Sequence, residues 1–442
     1  MSSELGTNRM TSEIRNPARR NRVSLKKSHG VQPITKQRKA RRVLHVITAP
    51  QRRGAEMFAL RLAAHLEERE FENAVCSLFQ SSGALSSDYF PSALKSYELK
   101  AKARWLENTV HFNPAVLWRL YRAMRDFRPD VVVAHGSKTL KYASLGCLLY
   151  PRAKGVYKNI GTASFWANTW SKVRAGRLLL RNMHAVVSVS KYTREDFIKV
   201  YDFPNDRVLF IANAVDVSEF QNVDAKAARS GLRKHLGIGD EAIALINVGS
   251  LSPGKGQDEI IRLVPELIAR GMDVCLILVG TGPSRPALEQ LAENLDVTSK
   301  VHFLGLRKDI SEVLSAGDIF VLTSATEGMP GVLIEAGMAG LPSVSYNVGG
   351  ISEVVTDGLT GRLVSHGDSG RLLHAVGQLA ADPAARVGMG AAARRYCYRT
   401  FNIEEIALQY KALFHALLDS ESARDIGVAI RRLGAGAANG AT

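Results

Sequence analysis

The sequence predicts an α/β protein made of two doubly wound parallel-sheet domains in tandem. Three observations carry this: two series of short apolar runs of strand length, helical periodicity between the runs, and a polar, lysine-containing break between Asp216 and about Glu241. A chain of 442 residues that is 46% hydrophobic is too long for one ordinary core and apolar enough for two.

The first series opens at "VLHVITA", followed by a glycine turn and a helix with apolar positions Met57, Leu60, Leu62 and Leu66, the start of a βαβ unit. Further strands read at "NAVCSLF", "DVVVAHG", "GVYKNIG", "AVVSVS" and "VLFIANAV". Uninterrupted apolar strands with helices between them belong in a parallel sheet covered on both faces. The second series is "AIALINVG", "VCLILVG", "VHFLG", "DIFVLTS" and "LPSVSY". Helical pattern then runs from Asp368 to about Leu418. The expected organisation is a basic disordered tail (1–42), an N-terminal domain (43–222), a linker (223–240), a C-terminal domain (241–402), a helix packing back on the N-terminal domain (403–420) and a disordered end (421–442).

Of the formal charge of +16, +10 lies before residue 43, so the basicity is mostly a tail of low apolar content. That tail lacks the apolar core of a secretory signal, and no run of ~18 apolar residues occurs. Three uses of it stand open: a solvated extension, contact with an anionic membrane surface, and nucleic-acid binding, the last the least favoured. Cys76, Cys147, Cys275 and Cys397 are widely spaced and suggest neither disulfides nor a zinc site, which fits a cytoplasmic protein, at most peripheral at the inner face of a membrane.

In doubly wound sheets ligands bind beyond the carboxyl ends of the strands, so the strand ends carry the functional reading. After "AIALINVG", the stretch "SLSPGKGQDE" offers Gly249, Gly254 and Gly256 for close backbone approach, Lys255 as a point charge and a helix start. It is a phosphate-binding arrangement in type, and equally an ordinary turn with a surface lysine. The "GTG" after "VCLILVG" has Arg285 where a dinucleotide fingerprint needs glycine, and reads as a tight turn. After "DIFVLTS" comes "ATEGMPGVLIEAGMAGLP": Glu327 in the loop, Pro330 in the first turn of a helix running to about Ala339, and Gly340 with Pro342 as its stop. Free amides near Gly331, Val332 and Leu333, approached past Gly328 and Gly331, suit a diphosphate. Glu335 lies in an apolar helix; either its carboxylate accepts vicinal hydroxyls of a ribose, or it points outward into solvent.

These two glutamates resemble the E-x7-E motif of the GT4 family of retaining glycosyltransferases with the GT-B fold. "VGSLSPGKG", "VHFLGLRKDISEVLSAGDIFVLTSATEGMPGVLIEAGMAGLPSV" and "VGGISEVVTDGLTGRLV" are similar to that family's blocks in the right order, as are "GAE", "RPDVVVAHG", "VSVS" and "IANAVDVSEF" earlier in the chain. The resemblance implies two Rossmann-like domains facing each other across a cleft and a nucleotide-diphosphate sugar, UDP- or GDP-linked, as donor. It implies Glu335 on the donor ribose, Lys255 on the diphosphate, Glu327 beside the transferred sugar, and Arg307 near the base. Backbone from Gly328 through Met329, Pro330 and Gly331 to Val332 would lie against sugar and phosphate, with Gly249 and Ser250 in the preceding loop. His135 would face the reacting sugar, and Arg53 and Gly54 would belong to the acceptor-side loop. Two positions depart from the pattern: Ser250 stands where an arginine is common, and Arg53 where a glycine is common. No D-x-D triad occurs, so no metal or other cofactor is expected. The expected acceptor is a sugar or a lipid-linked sugar. Same-fold epimerases or phosphorylases and a catalytically silent nucleotide- or partner-binding module are the alternatives.

Overall fold

The computed structural model describes residues 40–430, without 52, 67–69, 81–89, 91–93, 102–111, 421 and 423–424. The tail before Ala40 and residues 431–442 lie outside the described residues.

Seven parallel strands form the first sheet: β1 (Arg41–Ile47), β2 (Phe71–Phe79), β3 (Lys95–Ala101), β4 (Val131–His135), β5 (Lys154–Asn159), β6 (Ala185–Ser188) and β7 (Val208–Phe210), in the order β3-β2-β1-β4-β5-β6-β7. Six form the second: β8 (Ile243–Val248), β9 (Val274–Val279), β10 (Val301–Gly305), β11 (Ile319–Leu322), β12 (Ser343–Tyr346) and β13 (Gly361–Val364), in the order β10-β9-β8-β11-β12-β13. In each sheet the strand order reverses beside the first strand, between β1 and β4 and between β8 and β11. Loops diverge there and leave a crevice. The central strands are buried on both faces, which is why they read as unbroken apolar runs.

Four features differ from the sequence reading. The first strand begins at Arg41, inside the expected tail, because the Arg42 amide donates to Asp130 at 2.8 Å and the Arg42 guanidinium to the Phe127 carbonyl at 3.0 Å. The edge strands β3 and β13 carried no apolar run: among the described side chains of β3 only Leu99 is buried, and polar edge strands are how sheets avoid pairing with other chains. The expected linker contains a helix, Ala225–Leu236, capped by Asp224 and ended by Gly237 at φ +68. This helix belongs to the second sheet's lobe through Arg233, 1% exposed, which donates to Asp318 at 2.5 Å and to the carbonyls of Gly239, Asp240 and Ala242 at 2.9–3.1 Å. Residues 425–430, expected in a disordered end, are helical, with Ile426 and Ile430 buried in the core.

Replacing Arg233 with Met should lower stability by about 3 kcal/mol, because it strands the partly buried Asp318 carboxylate and several carbonyls. Urea unfolding measures this; a loss below about 1 kcal/mol would mean that Arg229, 2.8 Å from Asp318, suffices alone.

The chain crosses between lobes twice. Val215, after β7, exchanges backbone hydrogen bonds with Phe401 and Ile403 at 3.0 and 3.1 Å. The helix Ile403–Asp419 then packs on the first lobe, with Tyr410 against Phe58 and Phe414 against Phe71.

Candidate active site

The β8 and β11 ends are tied together. Gly256 has φ +69, and a Cβ there would lie 2.3 Å from the Thr323 carbonyl oxygen, so only glycine lets the two loops touch. Thr323 donates to the Gly256 carbonyl at 2.7 Å, and the Ala325 amide to Gly254 at 2.9 Å. This stitching sets Lys255 beside Glu327, Nζ to Oε1 at 2.5 Å, with Glu327 12% exposed and Lys255 32%. Two residues 72 apart in sequence thus share one spot at the crevice. At Gly249, Gly254 and Gly331, by contrast, an added Cβ would meet open space.

Pro330, extended at φ −73 and ψ 116, is the cap of the helix Gly331–Met338 rather than its first residue, and no side chain caps that end. Glu335 does not turn outward. It is 15% exposed, and its Oε1 accepts from both terminal nitrogens of Arg61 at 3.3 and 3.4 Å. Arg61, on the helix Gly54–His65 of the other lobe, also grips Glu219 at 2.8 and 3.0 Å. Burial opposes its charge, but Glu335 and Glu219 outweigh this and raise its pKa.

Gly328 was expected to clear the way for a ligand; its missing side chain instead admits the other lobe, since a Cβ there would lie 2.1 Å from the Ile160 carbonyl oxygen. Met329 is buried, and its carbonyl accepts from Asn213 at 2.7 Å. Asn213 in turn accepts from Lys158 at 2.7 Å, so a relay of two side chains holds the glutamate loop on the first sheet. Glu353 adds a second tie, taking the amides of Lys191 and Tyr192 at 2.9 and 3.1 Å at a helix start.

His135 does not reach an open surface. It is 2% exposed at the end of β4, with Nε2 3.2 Å from His45 Nδ1 and, among the described residues, no partner for its own Nδ1. Burial first, then the neighbouring His45 and Lys158, pull its pKa well below the usual imidazole range, and burial pulls His45 down to about 4. Lys158, fully buried over the Phe58 ring, is also drawn well below its usual range by burial. The polar residues "H" in "VLHVI" and "K" in "GVYKNIG" were the only sequence signal of this cluster. Arg307 pairs with Asp309, Nε to Oδ1 at 2.9 Å, and its hydrogen bonds do not reach Lys255, Glu327 or Glu335. Arg53 caps the helix Gly54–His65 without a side-chain bond. Ser250 is exposed, its hydroxyl 3.1 Å from that of Ser252. A cavity of about 650 Å³ lies between the lobes, lined by Thr162, Phe165, Tyr192, Thr326, Asn347 and Ser352, and none of the expected donor residues lines it.

Residues 52–219 match the family described as Glycosyltransferase Family 4, and residues 242–382 match Glycosyl transferases group 1. Over 261 residues the chain is 32% identical to a GDP-mannose-dependent monoacylated alpha-(1-6)-phosphatidylinositol monomannoside mannosyltransferase of Corynebacterium glutamicum, covering 55% of this chain and 67% of that one. The chain belongs to glycosyltransferase family 4. Within that family it is also 30% identical over 240 residues to the N-acetyl-alpha-D-glucosaminyl L-malate synthase of Bacillus anthracis, covering 54% of this chain and 58% of that one. The chain spans about three-fifths of the length of the curated relatives it matches first. Its fold is that of the Anabaena HepE structure in complex with UDP and glucose (TM-score 0.72, 22% identity, 84% and 98% of the two chains covered) and of the sucrose-phosphate synthase of Thermosynechococcus elongatus (TM-score 0.73, 18% identity, 86% and 99% covered). These are two-lobed GT-B proteins; the second matched segment contains all six strands of the second sheet, and the first contains every strand of the first sheet after β1.

Proposed function

We propose that this family 4 protein transfers a sugar, with retention, from a UDP- or GDP-sugar to a hydroxyl acceptor without a divalent metal. The observation that supports this best is the meeting of Lys255 with Glu327 at the foot of the uncapped Gly331–Met338 helix, with Glu335 turned toward the cleft. A diphosphate at that helix end meets free amides and the positive end of the dipole. Lys255 exchanges its contact with Glu327 for the diphosphate oxygens and meets the charge that grows as the sugar–oxygen bond breaks. Freed from Lys255, the Glu327 carboxylate accepts hydroxyls of the transferred sugar. The acceptor hydroxyl attacks from the face the diphosphate leaves and gives its proton to a departing phosphate oxygen, so that no protein base is required. His135, kept neutral, contributes no positive charge to the step. A thermal-shift panel of UDP, GDP and ADP tests the donor site: a nucleotide at ~100 times its dissociation constant adds about 2.7 kcal/mol of stability. No shift with any diphosphate contradicts the reading.

The acceptor, in the same reading, is presented at an anionic membrane surface. No helix among the described residues is long and apolar enough to cross a membrane. The helix Trp170–Leu180 and the turn before it expose Trp166, Trp170 and Leu178 beside Lys172, Arg174, Arg177 and Arg181, with no acidic residue from Gly161 to Arg194. Aromatic and basic side chains on one short helix suit a bilayer interface. Trp170→Glu with Leu178→Glu should abolish co-sedimentation with phosphatidylglycerol vesicles at low salt and leave the nucleotide shift intact. Full-length protein that ignores such vesicles at low salt would remove the membrane from the proposal.

A further inference from the structure

Arg61, on the first lobe, donates to the carboxylate of Glu335 through both terminal nitrogens, and no motif marks it. Its guanidinium is held by Glu219 through two short hydrogen bonds of 2.8 and 3.0 Å, a fork-on-carboxylate geometry that sets its direction. The two contacts to Glu335 are longer, 3.3 and 3.4 Å, and both fall on the same oxygen, Oε1. Glu219 is 42% exposed, whereas Arg61 and Glu335 are 13% and 15% exposed. The strong pair therefore faces solvent, and the long, buried one faces the cleft.

We infer that Arg61 is a positioning residue for the donor ribose: anchored by Glu219, it keeps the Glu335 carboxylate aimed across the cleft so that two vicinal hydroxyls can bind it. The inference rests on the nucleotide-sugar reading above. A carboxylate this enclosed loses much of its hydration, and a fixed cation beside it offsets part of that loss and sets its direction. Because Arg61 and Glu335 belong to different lobes, the ribose site is complete only when the lobes stand as they do here.

The test compares UDP or GDP, whichever binds, with its 2′-deoxy counterpart by isothermal titration on the full chain. Wild type should prefer the ribonucleotide by about tenfold or more, the scale of hydrogen bonds to a charged group. Arg61→Met should remove most of that preference, Arg61→Lys should restore part of it, and Glu219→Gln, which touches only the anchor, should lower it without removing it. A merely structural arginine would lower the melting temperature and leave the ribo/deoxyribo ratio unchanged, which overturns the inference. Tighter ribonucleotide binding in Arg61→Met overturns it too, since Arg61 would then be a competitor for Glu335. If Arg61→Met fails to fold, the Glu219→Gln ratio decides. Failure of the underlying reading is separable: wild type then binds no nucleotide at all.

Discussion

Lys255→Ala is expected to lower turnover by a factor on the order of 10²–10³, the scale of losing one preorganised electrostatic donor at a leaving group. The expectation follows from how few cations stand at the crevice between β8 and β11. Lys255 is the lysine of the Gly249–Gly256 loop, and Ser250 brings a hydroxyl rather than a charge. Its ammonium is already held in place, by Glu327 at 2.5 Å, and a diphosphate with its larger charge can take it over without a rearrangement of the loop. The variant should bind a nucleoside diphosphate much more weakly and the free nucleoside nearly as well. Equal losses for both would assign Lys255 to the fold rather than to the diphosphate. Ser250→Arg, at an exposed position, is the converse: it should tighten diphosphate binding.

Glu335→Ala should weaken nucleotide binding by about 1.5–3 kcal/mol, the range for hydrogen bonds to a charged acceptor. Here the alternative of a solvent-facing side chain is settled by geometry, since Glu335 is 15% exposed and in contact with Arg61. The loss should appear with nucleoside and nucleoside diphosphate alike, unlike that of Lys255→Ala, because the ribose is common to both. Unchanged nucleoside binding would take the ribose away from Glu335.

The central strands, the two-lobe division and the crevice were legible because they depend on local pattern: buried parallel strands are apolar throughout, and loops after them are marked by glycine. What escaped depends on tertiary contact. β3 was not read as a strand because an edge strand is hydrophilic for the same reason a loop is. The helix Ala225–Leu236 looked like a linker because its main hold on the core is the guanidinium of Arg233, and sequence does not show a buried arginine as buried. Lys255 and Glu327 were each legible at a strand end; their contact was not, because it is made by Gly256 on Thr323. His135 was legible as a strand-end histidine, but its burial is set by Phe58 and His45 on neighbouring elements. Arg61 carried no signal, as one arginine among the apolar residues of "GAEMFALRLAAH".

The most direct measurement incubates the full-length protein with UDP- and GDP-sugars in the presence of EDTA and follows free nucleoside diphosphate. The expected result is slow release from one donor class without acceptor, unaffected by the chelator and lost in Lys255→Ala. Failure to release diphosphate from any donor, with or without divalent ions, would contradict glycosyl transfer by this site, and release only when a divalent ion is restored would contradict its metal-free leaving-group chemistry.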